Sequence, residues 1–107
     1  MSFQATVQSA QGVVTFRLSG ELDSRSAPRF HEMITQAVLP AARRLVLQMA
    51  DLSYMSSAGL RCLVYAHQRA GSGVAIELVG TRPEVAETIR LTGFDRSLTM
   101  LEAGARP

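Results

Sequence analysis

The chain has 107 residues, 47% hydrophobic and 19% charged, with a formal net charge of +2. This is the size of one domain with an ordinary core and too apolar for disorder. No apolar run approaches the ~20 residues of a membrane-spanning helix, and the first twenty residues lack the basic and apolar regions of a secretory signal.

Phe3, Ala5 and Val7 alternate with Gln4, Thr6 and Gln8, the period-two pattern of a strand with one wet face. A polar turn over 9–12 leads to a second strand, Val13 to Leu18, so the chain opens on a hairpin. Residues 20–28 (GELDSRSAP) read as a loop that becomes a helix. Pro28 belongs in the first turn, which places the cap at Ser24 to Ser26. Phe30, Met33, Ile34, Ala37 and Val38 then form one helical apolar face, which Pro40 ends.

Leu45 to Met49 is a nearly continuous apolar run, the mark of a strand covered on both sides. It ends in a link, Asp51 to Met55. A second helix starts near Ser56 or Ser57, with Leu60, Leu63, Val64 and His67 on one face, and breaks at 71–73 (GSG). Val74 to Val79 is a further strand. Thr81 and Glu84 have capping-box spacing, with Pro83 in the first turn of a third helix that Gly93 closes. Ser97 to Leu101 reads as a last edge strand, followed by a loose tail from about residue 102. The order β-β-α-β-α-β-α-β needs crossover connections, hence an α/β fold: one mixed sheet with an opening hairpin. No linker divides the chain, so residues 1–107 read as one domain.

Little in this pattern points to catalysis. Cys62 is the single cysteine, which forbids an internal disulfide or a cysteine metal cluster and implies a reducing, cytoplasmic setting. It reads as a small, partly buried thiol. His31 reads as a surface residue and His67 as a core or half-buried one, neither at a metal-ligand spacing. Asp51 reads as a polar strand terminus. Ser57, His67 and Asp51 lack the nucleophile-elbow GxSxG that would support a triad. All eleven basic residues are arginines, scattered along the chain. The missing lysines exclude Schiff-base and P-loop chemistry, and the scatter gives no nucleic-acid surface. We therefore expect no catalytic residue, metal, cofactor, nucleic acid or membrane insertion. The distinctive segment is Tyr54 to Leu60, where two adjacent hydroxyls stand at a helix start. Capping alone would account for it.

Three ordered elements carry a resemblance: 18–23 (LSGELD), 51–60 (DLSYMSSAGL) and 91–94 (LTGF). Together they resemble the STAS family of anti-sigma-factor antagonists in bacterial partner-switching systems, across essentially the whole chain. The resemblance implies the STAS fold, a single mixed sheet with three or four helices packed against it. It also implies a binding protein without catalysis of its own. In such systems the unphosphorylated antagonist binds an anti-sigma factor that is also a GHKL-type serine kinase, which frees the sigma factor. The kinase phosphorylates the antagonist with ATP and magnesium, and a PP2C-type phosphatase reverses this. The family pattern aspartate-serine-serine-glycine-leucine, aligned on Gly59 and Leu60, puts Ser57 on the phosphorylated serine. Ser56 then replaces the aspartate and Ala58 the second serine. The implied partner surface comprises Asp23, Ser24, Tyr54, Met55, Ser56, Ala58, Gly59 and Arg61. Asp23 suits a cap or loop-stabilising role equally, Met55 suits core packing, and Arg61 could meet either a phosphate or a partner carboxylate. The alternative role is a constitutive STAS docking subunit of a lipid-transport or stressosome-like complex, with no phosphorylation.

Overall fold

The computed structural model describes residues 2–37 and 42–102. The elements are β1 (Gln4–Ala10), β2 (Val13–Leu22), α1 (Ala27–Ala37), β3 (Arg44–Met55), α2 (Ser57–Ala70), β4 (Ala75–Val79), α3 (Pro83–Leu91), a 3-10 turn (Phe94–Ser97) and β5 (Thr99–Leu101). They form one five-stranded sheet in the order β1-β2-β3-β4-β5. β1 and β2 make the opening antiparallel hairpin, and every later pairing is parallel. The expected α/β fold and element order are those observed. The 3-10 turn is additional. The helix end at Val38 and Pro40 and the tail beyond Glu102 lie outside the described residues.

All three helices cover one face of the sheet. Phe16 and Leu18 of β2, Leu45 and Leu47 of β3, and Ile76 and Leu78 of β4 join one buried cluster with Phe30 and Ile34 of α1, Leu63 of α2, and Val85 and Ile89 of α3. Phe30 meets Phe16 edge-on at 5.4 Å and Phe3 at 5.8 Å, tying α1 to β2 and to the residue just before β1. The opposite face carries the intervening residues, among them the Arg44–Glu77 ion pair at 3.1 Å.

Two strands outrun the sequence reading. β2 continues to Leu22 and β3 to Met55, through stretches expected to be loops. The register shows why. Arg17 faces Gln48, Ser19 faces Asp51, and Glu21 faces Tyr54, so β3 gains one residue at each of two bulges. Each extra residue breaks the period-two alternation and hides the strand from a pattern search. Asp51 is consequently an exposed mid-strand residue rather than a strand terminus. Gly20 sits at the second bulge with φ +84°, and a Cβ there would lie 2.2 Å from the Ser2 carbonyl oxygen. Only glycine admits both that conformation and that approach.

The expected capping box of α3 does not form. The helix starts at Pro83 with Arg82 as its N-cap, which leaves Thr81 one residue too early. Arg82 instead turns its Nε to the Ala50 carbonyl at 2.9 Å.

Candidate functional site

The two long strands bring the distinctive segments together. Glu21 lies beside Tyr54 and Leu22 beside Met55 at the carboxyl ends of parallel β2 and β3, the place where open α/β sheets present their sites. α2 is set down on this corner. The Ser56 N–H donates to the Leu22 carbonyl at 2.9 Å. A Cβ on Gly59 would lie 2.8 Å from Leu22 Cγ and 2.9 Å from the Leu22 oxygen. Gly59 is therefore a packing residue. It is buried, as is Met55 at 3% exposure. Both pack inside the corner rather than on its surface, and Met55 takes the core-packing role it suited.

The paired serines divide two tasks. Ser56 is the N-cap of α2, with extended backbone, and its Oγ accepts from the Gly59 N–H at 3.3 Å. Ser57 is the first helical residue. It is exposed, and its hydroxyl forms no hydrogen bond among the described residues. No acidic side chain occupies the first turn of α2, so the positive end of the helix faces solvent beside that hydroxyl.

Asp23 closes the other side of the corner. Its N–H donates to Ser26 Oγ at 2.9 Å, while its Oδ1 accepts from the Ser26 N–H at 3.2 Å and the Arg25 N–H at 3.0 Å. The Ala27 N–H donates to the Asp23 carbonyl at 2.8 Å. These reciprocal bonds have the pattern of a capping box and close the turn from Asp23 to Ser26 just ahead of α1. α1 itself begins at Ala27, so the residue directly before it, Ser26, lies within the expected Ser24 to Ser26. The Ser26 and Arg25 amides hold the Asp23 carboxyl below the usual carboxylate range. Ser26 Oγ, donating to the Glu21 carbonyl at 2.9 Å, anchors the box to the end of β2.

The family model described as STAS domain matches residues 4–103. The chain belongs to the STAS domain family. It is 25% identical over 99 residues to the anti-sigma-F factor antagonist RsfB of Mycobacterium tuberculosis, covering 92% of this chain and 81% of that one. An anti-sigma factor antagonist from Mycobacterium paratuberculosis superimposes with a TM-score of 0.83 at 26% identity, over 94% of this chain and 86% of the other. SpoIIAA, solved in unphosphorylated and phosphorylated forms, has the same fold, with TM-scores of 0.74 and 0.71 at 22% identity. Those matches cover 95% of this STAS chain and 88% and 91% of SpoIIAA.

Around the STAS corner, Ser24, Tyr54 and Arg61 are exposed, Tyr54 at 49%, and Asp23, Ser56 and Ala58 are half-buried. A groove of about 630 Å³ runs between α1 and α2, with Ser24, Pro28 and His31 on one wall and Ala58, Arg61 and Tyr65 on the other. Two of these residues carry no sequence signal of their own. His31 stacks on Tyr65 at 3.8 Å between ring centroids, and the Tyr65 hydroxyl lies 2.7 Å from Thr35 Oγ1. The helical spacing of Ala58, Arg61 and Tyr65 would have put all three on one side of α2. Cys62 is buried at the groove floor, where its thiol donates to the Ala27 carbonyl at 3.4 Å and burial pushes its pKa up. His67 is half-buried, edge-on to Phe94 at 5.8 Å. Among the described residues, no three His, Cys, Asp or Glu side chains converge on a metal site, and no helix is long and apolar enough to cross a membrane.

Proposed function

We propose that this STAS protein is an anti-sigma-factor antagonist whose binding is switched by phosphorylation of Ser57. The observation that carries this reading is the exposed Ser57 hydroxyl at the first position of α2, beside a Ser56 already committed to the cap. The role named for RsfB supports the class of partner. The partner is an anti-sigma factor that is also a GHKL-type serine kinase. It transfers the γ-phosphoryl of ATP, with magnesium, to Ser57 Oγ, releasing ADP and the hydroxyl proton. A PP2C-type phosphatase returns the hydroxyl by hydrolysis.

Phosphoserine brings about −1.5 to −2 charges. At the start of α2 that charge meets free N–H groups and the helix dipole, an interaction worth roughly 0.3–1 kcal/mol at a surface. The modification therefore leaves the fold intact and acts at the interface. There an unpaired anion must be desolvated, at a cost of several kcal/mol, enough for a hundredfold or greater loss of affinity. Ser24, Tyr54 and Ala58 offer contact area around the hydroxyl. Asp23 keeps an anionic carboxylate just past the end of β2, and Arg61, one turn further along α2, would meet either the phosphate or a partner carboxylate.

Binding to the candidate kinase tests the switch. Ser57→Ala is expected to bind constitutively and Ser57→Asp to lose binding; equal affinities overturn it. Ser56 in place of the family's aspartate favours a second reading, a constitutive docking subunit. Incubation with kinase and ATP followed by intact-mass analysis decides between them, because only the first reading gives the ~80 Da increment of a phosphate.

A further inference from the structure

The two edges of the sheet are built differently. β5 has three residues, with Asp95 and Arg96 shortly before it and Glu102 immediately after. Short strands and flanking charges are the usual protection of a free edge. β1 has seven residues (QATVQSA), with no charge and no proline, and six of the seven are exposed. It pairs with β2 in unbroken register from Gln4 to Ala10, so no bulge twists its outer edge away. Among the described residues, nothing pairs with its outward N–H and C=O groups, which form a regular, uncharged row.

We propose that this row is a self-association edge, on which a second copy of the chain pairs β1 with β1 in antiparallel fashion about a two-fold axis at Val7. The pleat excludes any one-residue slip, which would set core-side residues against outward ones. Centring on Val7 pairs all seven positions: Gln4 with Ala10, Ala5 with Ser9, Thr6 with Gln8, and Val7 with its own copy. Small residues meet small or polar ones, and no charge is brought against its twin. A two-fold contact needs such a self-complementary patch. Val7 supplies the apolar centre. It is 38% exposed, faces the helix-covered side, and sits opposite the fully buried Phe16. Pairing continues the row Phe16–Val7 into Val7–Phe16 of the second copy and joins two five-stranded sheets into one. A seven-residue edge buries less than the ~1,200 Å² of ordinary stable interfaces, so the dimer is weak and depends on concentration. The axis reverses strand direction, which leaves both Ser57 corners open at opposite ends. The proposal is independent of whether Ser57 is modified.

Sedimentation equilibrium of the full chain from 1 to 500 μM is expected to show a reversible monomer–dimer transition. Val7→Lys should weaken it at least tenfold, as should Thr6→Lys on the opposite face, each keeping the wild-type circular dichroism and urea midpoint. Oxidised Val7→Cys should form a disulfide-linked dimer, since facing residues in an antiparallel pair lie within disulfide reach. Thr99→Cys on β5 should not. A monomer throughout, an association unmoved by both lysine variants, or cross-linking through Thr99→Cys in preference to Val7→Cys overturns it.

Discussion

Two corners of the molecule are built to one plan, a parallel strand running into a helix start, and they come out differently. At the β3–α2 corner the N-cap is Ser56, its hydroxyl is bonded, and the next hydroxyl, Ser57, faces solvent. At the β4–α3 corner the N-cap is Arg82, which makes no side-chain cap bond, and the hydroxyl before it, Thr81 Oγ1, is buried without a partner among the described residues. Proline at the first helical position of α3 fixes the start one residue beyond the threonine's reach. A hydroxyl near a helix start is thus displayed, spent or buried according to a one-residue offset. Only the first corner offers a hydroxyl that another protein can reach.

The most severe way to break the first corner is Gly59→Ala. The new methyl meets the Leu22 backbone oxygen as well as its side chain, and backbone in the sheet cannot swing aside. A loss of about 1–3 kcal/mol is expected, the usual cost of overpacking. Urea unfolding measures it, and an unchanged midpoint would show that α2 is not seated on β2 as described.

Next come the serines, which should separate cleanly. Ser56→Ala removes the cap and should cost about 1 kcal/mol. Ser57→Ala removes an unbonded surface hydroxyl and should stay within about 0.5 kcal/mol. Equal losses in urea unfolding would mean that the two hydroxyls share the cap. At the second corner the sign reverses. Thr81→Val deletes a buried oxygen that gains nothing from folding, so stability should rise by up to about 1 kcal/mol. A loss of stability would reveal a partner for that hydroxyl.

Sequence periodicity made the layout legible because most elements bury one regular face. Phe30 and Ile34 on α1, and Leu60 and Leu63 on α2, stand in the core as their spacing requires. It failed where regularity failed. The bulges of β3 interrupt alternation at Ala50–Asp51 and Ser53, so the carboxyl halves of β2 and β3 looked like loops. Those halves are what carry Tyr54 to the Asp23 corner. The Thr81–Glu84 spacing matched a capping box that a single proline forbids, while Asp23–Ser26, at the same spacing, forms one with serine in place of glutamate. Met55 and Gly59 belonged to a recognisable motif, yet their burial depends on where Leu22 ends, which local spacing does not encode.

The finest distinction concerns Asp23, which closes the turn into α1 and also faces the exposed corner. Its amide partners lower the carboxyl pKa in the folded protein. A depressed carboxylate contributes stability that is present above the unfolded value, about 3.9, and is lost as pH falls through the folded value. Asp23→Asn keeps an oxygen acceptor for the Arg25 and Ser26 amides but removes the titration. Across melting curves taken from pH 7 down to pH 2, wild type should therefore lose its advantage over Asp23→Asn as the pH drops below 4, and the two should converge at the acid end. A constant gap at every pH would mean that the charge plays no part in the box. A matching loss of partner affinity at neutral pH would then assign the carboxylate to the partner instead of to the helix.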